Sequence, residues 1–445
     1  MTLVNETTSS RYEYPHTLNM SAHLDPLEMA EDLTENDKDF WLYSSDNSTL
    51  LAVGAIGRVS AANGQIEAVW DDEKIASEKL VDPFRQTGEH LNSMPIESWR
   101  ALGYFTFNTA GYYHPYPTGS STLLDFVIPR TLVEVKPLSI QLKTFDEQAK
   151  SEIIYPTMQQ WTAVHSYGKP NTPAPDRSDF ERYTAGVEEI VQDIRAGHMT
   201  KVILSRCVHL AGSIDLFSTF EAIRKANPAA RTYAFRQLGL SAIGSSPELL
   251  MQTSADGSIL TNPLAGTRPR GVGRQEDSKM KKELKTDAKE VKEHVMSVEL
   301  AEAELERVCE ADSVSIKEFM RAVPFRTVWH LGSSVTGKLA EGNTLWDGLR
   351  ELFPGVTVSG IDKRSAIQKI AELEPETRVL YAGSVGWVDA DGSSDMAIVL
   401  RSAFEDENGA TMRAGAGIIA ESVPEKEYDE TVNKMRTIQE QLVLN

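Results

Sequence analysis

Three observations predict an α+β chain in which antiparallel sheets are covered by helices. The first third is rich in short strands, strands and helices mix afterwards, and no internal repeat interrupts the 445 residues. From Phe40 to Trp70 the chain reads as strands joined by turns, with Asp46-Asn47 and Asn63-Gly64 supplying the turn chemistry. Arg100 to Tyr113 continues this aromatic, β-like character. Before it, MTLVNETTSSRYEYPHTLNM reads as a loose polar tail, placed at residues 1–25. It lacks the charged-then-apolar order of a signal peptide.

The prolines of Lys169–Pro175 (KPNTPAP) deny helix and central strand alike. The segment is read as a surface loop within one domain, because the earlier strands have too little mass to stand alone. After it, Ser178 and Glu181 have capping-box spacing, and Phe180, Tyr183, Val187, Ile190 and Ile194 mark a buried helical stripe. Gly197 stands where that helix should stop. KVILSRCVHL follows as a strand whose core face is Val202, Leu204, Val208 and Leu210. Asp256-Gly257 and Asp391-Gly392 suggest further hairpins. In DAKEVKEHV, Glu290 and Glu293 lie at i,i+3 on a helix with a core stripe of Val291, Val295 and Val298.

The most informative stretch is RAGAGIIAESVPEKEYDETVNK, from Arg413 to Lys434. A strand end with Gly415 and Gly417 runs into a helix announced by Ser422, Glu425 and Pro424. Tyr428, Val432, Met435, Ile438 and Leu442 should face the core, while Glu427, Glu430 and Lys434 form a separate polar stripe. That stripe reads either as a solvated face with a Glu–Lys pair, or as a site. Bare glycine backbone opposite two carboxylates and an ammonium suits an anionic ligand held partly through a hard cation.

Composition removes several classes. Lys+Arg 45 against Asp+Glu 65 gives a net charge of −20, which disfavours nucleic acid and anionic membranes as partners. No apolar run reaches the roughly 18–20 residues of a membrane span. The two cysteines, Cys207 and Cys309, have no metal-ligand spacing and suit a reducing cytosol, so a cytoplasmic location is expected.

Single residues offer chemistry beside plainer roles. Lys201 opens a buried-looking strand: it either snorkels to solvent or is desolvated into a base. Glu248, in SSPELL, is an exposed turn residue or an acid whose pKa burial raises. Gly266 and Thr267, in NPLAGTRPRG, could present backbone and hydroxyl to a ligand. Arg401 interrupts the apolar strand MAIVLRSAF and needs an acceptor, either a partner carboxylate or a bound one.

The ordered set Lys201, SSPEL, PLAGTR, KEVKEH, FPGVTVSG, LYAGSVG, LRSAF and RAGAGIIAESVPEKEYDET resembles the chorismate-utilising enzymes. These include the anthranilate, aminodeoxychorismate, isochorismate and salicylate synthases. The likeness is weak through about residue 150 and dense from Lys201 onwards. HMTKVILSRCV and FMRAVPFRTVWHLGSSV are most similar to siderophore-type salicylate synthases. The resemblance implies one large domain over 26–445, with a divergent part at 26–168 and a catalytic core at 176–445. Two antiparallel sheets would pack face to face with helices outside and the active site between the sheets.

It also implies Mg²⁺ bridging the substrate carboxylate to Glu290, Glu293, Glu427 and Glu430, an oxygen-only set suited to a hard ion. Tyr381, Arg401, Lys434, Gly266, Thr267 and the backbone of Gly415, Ala416 and Gly417 resemble the family's substrate contacts. Lys201 resembles the base that activates water, Glu248 the acid that protonates the departing C4 hydroxyl, and His330 a histidine lining the same region. His330 equally fits a satisfied, partly buried histidine.

Lysine at 201 argues for hydroxylation over amination, and no LLES-type feedback segment is found. Thr357 resembles the lyase-competent members; isochorismate synthases tend to have alanine there. Ile361-Asp362-Lys363 departs from the usual Gly-x-Pro-Lys continuation. The expected activity is therefore salicylate synthase, followed by isochorismate synthase, with an aminating component or a silent chorismate-binding subunit behind both. A monomer without an amidotransferase partner is expected.

Overall fold

The computed structural model describes residues 12–20, 25–34, 39–45, 48–119, 122–147, 151, 167–172, 177–226 and 231–445. The turn at Asp46-Asn47, residues 1–11 and 21–24 of the expected tail, and residues 173–175 of the proline loop lie outside these. Every pairing between its strands is antiparallel.

Hydrogen bonds join the strands into one network arranged as two layers, through two long strands, Ser48–Ala62 and Leu124–Lys136. The early half of Ser48–Ala62 pairs with Phe40–Ser45 and its late half with Gln65–Trp70. Leu124–Lys136 likewise pairs first with Arg100–Phe105 and then with Ser139–Thr144. The register shift between Ala55 and Gly57 marks the changeover, as a bulge bends a strand and increases its twist.

One layer runs from Phe40–Ser45 through Arg231–Gln237, Leu240–Ser246, Ser402–Asp406 and Gly409–Ile418 to Lys201–Leu210. The other runs from Arg100–Phe105 through Ser384–Asp389, Ser394–Ile398, Leu249–Thr253 and Ser258–Thr261 to Val328–Lys338. Leu264–Pro269 and Ser315–Pro324 flank this last strand. Face-to-face packing is direct: Tyr104 stacks on Phe235 at 5.4 Å, and Arg231 reaches Asp395 across the layers at 2.6 Å.

Helices cover the outside. Val202 and Leu204 join the core beneath helix Phe180–Arg195, whose Tyr183, Val187 and Ile190 are buried as its periodicity predicts. Helices Pro26–Leu33, Leu216–Ala226 and Pro424–Gln439 seal a second core containing Met412, Met435, Ile438 and Leu442. Asn63 and Gly64 both take positive φ, 53° and 74°, in the expected hairpin, and Gly257 and Gly392 do so at 83° and 89°.

Four local expectations are corrected. Residues 12–20 are no loose tail: His16–Met20 pairs with Ser139–Thr144, and the buried Tyr14 donates to the Pro129 carbonyl at 2.8 Å. Helix Phe180–Arg195 is preceded by Asp179, not by a Ser178 box, and the Asp179 carboxylate is drawn away to Arg206 and Tyr428. Helix Pro424–Gln439 starts at Pro424 with no side-chain cap, since Ser422 accepts from the Ile419 amide instead. On helix Ala288–Glu306, Val291 and Val295 are only half-buried. The buried face carries Glu290, Glu293, His294, Ser297 and Val298, because it lies against strands Leu264–Pro269 and Val328–Lys338 rather than an all-apolar surface.

Candidate active site

The site forms where helices Ala288–Glu306 and Pro424–Gln439 meet the strand Lys201–Leu210. Alternation along that strand sends Val202 and Leu204 outward to the helices and leaves Lys201 and Ile203 on the inner face. Lys201 is fully buried; its Nζ lies 3.0 Å from Glu293 Oε1 and donates to Ser297 Oγ at 3.1 Å. Ser297 in turn donates to the Glu293 carbonyl at 2.8 Å, so its lone pairs face the lysine.

Two glycines make this approach possible. Gly417 pairs with Ile203, and a Cβ there would sit 2.3 Å from Glu293 Oε1 and 3.2 Å from Lys201 Cε. Gly360 pairs with Val202 at φ 141°, and a Cβ there would fall 2.2 Å from the Lys201 carbonyl. The departing Ile361-Asp362-Lys363 segment is well anchored: Ile361 pairs with Lys201, and Asp362 caps helix Lys363–Leu373 by accepting from Arg364 at 3.0 Å.

Glu248 stands at the end of strand Leu240–Ser246 and is buried. Its Oε1 accepts from Thr357 Oγ1 at 2.6 Å and from the Leu264 amide at 3.0 Å. Burial dominates these bonds and pushes the carboxyl up to about 7, so a proton is shared near neutrality.

His330 is held by a chain of partners. Arg401, which can only donate, lies 3.1 Å from Nε2; the proton therefore sits on Nδ1, facing Gly266 O at 3.3 Å and Thr267 Oγ1 at 3.1 Å. Burial, with Arg401 and Lys434 nearby, drives its pKa down to about 3, so the ring is neutral. Arg401 adopts φ 50° and is buried. Gly266, at φ 82°, lets the Thr267 amide donate to Glu290 Oε2 at 2.7 Å.

An inner cavity is lined by Ile203, Glu248, Gly266, Thr267, Glu293, His330, Thr357, Tyr381, Arg401, Gly415, Gly417, Glu430 and Lys434. Ala416 does not line it; its methyl joins the core on the opposite face. Thr267, Glu430 and Lys434 also border an outer cleft of about 410 Å³, which adds Arg268, Lys289, Glu290 and Glu427. The sequence-predicted residues thus border the cavity or the cleft, except Lys201, which joins through Glu293, and Ala416. His294, Ser297 and Lys289 were missed. His294 is buried between Ala265 O at 3.1 Å and Ser333 Oγ at 2.7 Å. Ser297's signal was its place one helical turn after Glu293.

The four glutamates supply only oxygen donors, and their charges crowd one another. Burial, then Glu430 and Glu293, raise Glu290 to about 7; burial and Glu430 raise Glu427. Burial also opposes charge on Glu430, but Lys434 at 2.7 Å and Lys289 hold it below the usual range. A hard cation would relieve this crowding, so the donor set fits magnesium. In this structure lysines do part of that work: Lys289 lies 2.8 Å from Glu427 and Lys201 pairs with Glu293. Among the described residues, no three of the four glutamates bring oxygens within 4.8 Å of one another.

A family model described as chorismate binding enzyme matches residues 34–440. The chain belongs to the chorismate-binding enzyme family. This chorismate-binding enzyme is 30% identical to a salicylate synthase of Mycolicibacterium paratuberculosis, over 98% of both chains. Its fold is similar to anthranilate synthase component I of Streptococcus pneumoniae, with TM-score 0.75, 25% identity, and 88% and 92% of the two chains covered. The fold of the menaquinone-specific isochorismate synthase of Escherichia coli matches with TM-score 0.72 and 22% identity, over 95% and 94% of the chains. Among the described residues, no helix of the enzyme is long and apolar enough to cross a membrane.

Proposed function

We propose that the enzyme converts chorismate, through isochorismate, to salicylate and pyruvate. The observation that carries this reading is a buried carboxyl on the cavity wall, Glu248, raised to about 7 within the electrostatic reach of a buried amine, Lys201, which lies behind the wall residue Glu293. An amine there serves water chemistry: in its uncharged form Lys201 takes a proton from water as its oxygen attacks C2. The ring double bond shifts, and Glu248 gives its proton to the hydroxyl leaving C4. Water is consumed and water is released, leaving isochorismate.

In the second step the hydrogen on C2 passes to the methylene carbon of the enolpyruvyl group as the C–O bond breaks. Pyruvate departs and the ring becomes aromatic. No side chain need exchange a proton, so the protein acts by folding the enolpyruvyl arm over the ring. Tyr381, Arg401 and Lys434, with the main chain at Gly415 and Gly417, would hold carboxylate groups for this. Magnesium held by Glu293, Glu427 and Glu430, with Glu290 beside them, would supply positive charge to a substrate carboxylate. Support for the two-step reading comes from the salicylate synthase relative, which aligns end to end. The same likeness favours a single-chain enzyme without an amidotransferase; a cytoplasmic location, and salicylate as the aryl cap of an iron chelator, are the roles we propose for it.

A second reading, release of isochorismate, is favoured by the Thr357 hydroxyl being committed to Glu248 rather than left free for the lyase step. Purified protein incubated with chorismate and Mg²⁺, with products separated by chromatography, decides. Salicylate and pyruvate in equal amounts, lost on chelation and restored by Mg²⁺, are expected. Isochorismate alone would sink the lyase step, and anthranilate from added ammonia would sink the hydroxylation.

A further inference from the structure

Farther along the strand that carries Lys201, on the same face but towards its other end, three side chains of different donor type gather. Cys207 and His209 are two residues apart and share a strand face, paired opposite Arg413 and Thr411. Glu376 comes to them from the segment after helix Lys363–Leu373. Sγ, a ring nitrogen and a carboxylate oxygen all lie within 4.8 Å of one another, and His209 Nε2 is 3.3 Å from Glu376 Oε1. We propose that Cys207, His209 and Glu376 form a binding site for a zinc-class divalent cation, separate from the chorismate site.

The scaffold is prepared for this. The Glu376 carbonyl accepts from Arg413 at 3.3 Å, and the neighbouring Glu374 accepts from the Ser205 amide at 2.7 Å, so the loop is tied to the strand. His209 and Glu376 are exposed, and rotation of either draws the donors to bonding distance at small entropic cost. The cluster opens on a cleft of about 330 Å³, which leaves room for a water as fourth ligand. Thiolate with imidazole and carboxylate selects zinc or cobalt over magnesium, which prefers oxygen alone. The net charge of −20 favours cations generally. Two features oppose binding: burial pushes the Cys207 thiol up, and the Arg413 guanidinium is 3.8 Å from Glu376. Its 3.0 Å ion pair with Glu374 offsets that charge, so the site should be weaker than a four-ligand structural zinc centre.

The test uses the full-length, tag-free, reduced protein with Mg²⁺ in excess, titrated with Co²⁺ and then Zn²⁺. One equivalent of Co²⁺ should give a near-ultraviolet sulfur-to-cobalt charge-transfer band that Zn²⁺ abolishes. Cys207→Ser should remove the band, and His209→Asn or Glu376→Gln should weaken Zn²⁺ binding at least tenfold, with unchanged circular dichroism. Glu427→Gln should leave the band intact. Absence of the band from the wild-type protein, its survival in Cys207→Ser, or unaltered Zn²⁺ affinity in the His209 and Glu376 variants would overturn the assignment.

Discussion

The hydroxyl of Thr357 donates to the carboxylate of Glu248 at 2.6 Å, so the loop residue and the buried acid act as one titrating unit. A donor of this kind stabilises the charged carboxylate and opposes the upward push of burial. Thr357→Val keeps the shape and removes the donor. The Glu248 pKa then rises, the acid form persists to higher pH, and the alkaline limb of isochorismate formation moves up by roughly one pH unit. Initial rates across a pH series check this; an unmoved limb would separate Glu248 from the acid role.

Gly417→Ala places a methyl where Glu293 now sits. Small-to-large changes in packed interiors cost about 1–3 kcal/mol, and here the flexible carboxylate yields first. Turnover should fall at least tenfold while the melting temperature drops only a few degrees. Wild-type kcat in this variant would show that the Lys201–Glu293 pair is dispensable.

Ser297 does not line the cavity, yet it holds the Lys201 amine at 3.1 Å. It is a positioning residue on this reading. Ser297→Ala should lower kcat about tenfold with KM little changed, as expected when a base loses its alignment but not its identity. Ser297→Thr, which keeps the oxygen, should recover most of the loss. Equal damage in both variants would point to packing instead.

Stability of the ligand-free protein should also respond to pH. Glu248 titrates near 7 when folded and near 4.5 as a free side chain, so its proton is retained on folding. Stability from this group is complete below about 4.5 and is lost as pH rises towards 7, by on the order of 3 kcal/mol. Glu290, also raised to about 7, adds in the same direction. Urea unfolding of the wild type and Glu248→Gln at pH 5 and pH 8 isolates the first term: the variant should show the shallower pH dependence.

Much of this was legible in the chain because the physics is local. The 3.6-residue period placed Tyr183, Val187 and Ile190 inside, and positive-φ turn residues placed three hairpins. What misled is burial by distant partners. Lys201 sits where strand alternation predicts a polar face, but the opposing layer and helix Ala288–Glu306 close over that face. The same closure turned Glu290 and Glu293 inward and left Val291 and Val295 half outside, reversing the expected stripe. Caps failed for a related reason: Asp179 and Ser422 found better partners in Arg206, Tyr428 and the Ile419 amide. Tyr14 and the edge strand after it, read as a tail, depend on contacts 115 or more residues away.

The short pairing of Gly360–Ile361 with Lys201–Val202 has a consequence for how chemistry can diversify on this scaffold. Ile203 donates to the Ser359 carbonyl at 3.0 Å and Thr200 to the Ile361 carbonyl at 2.7 Å, so the threonine loop is stitched directly to the lysine strand. The proton acceptor and the loop that holds the proton donor therefore share one main-chain bracket, which Glu248 joins through the Thr357 hydroxyl. New reactions on such a frame have to be reached by exchanging side chains in place, as on a tool holder whose jaws are fixed and whose bits are not.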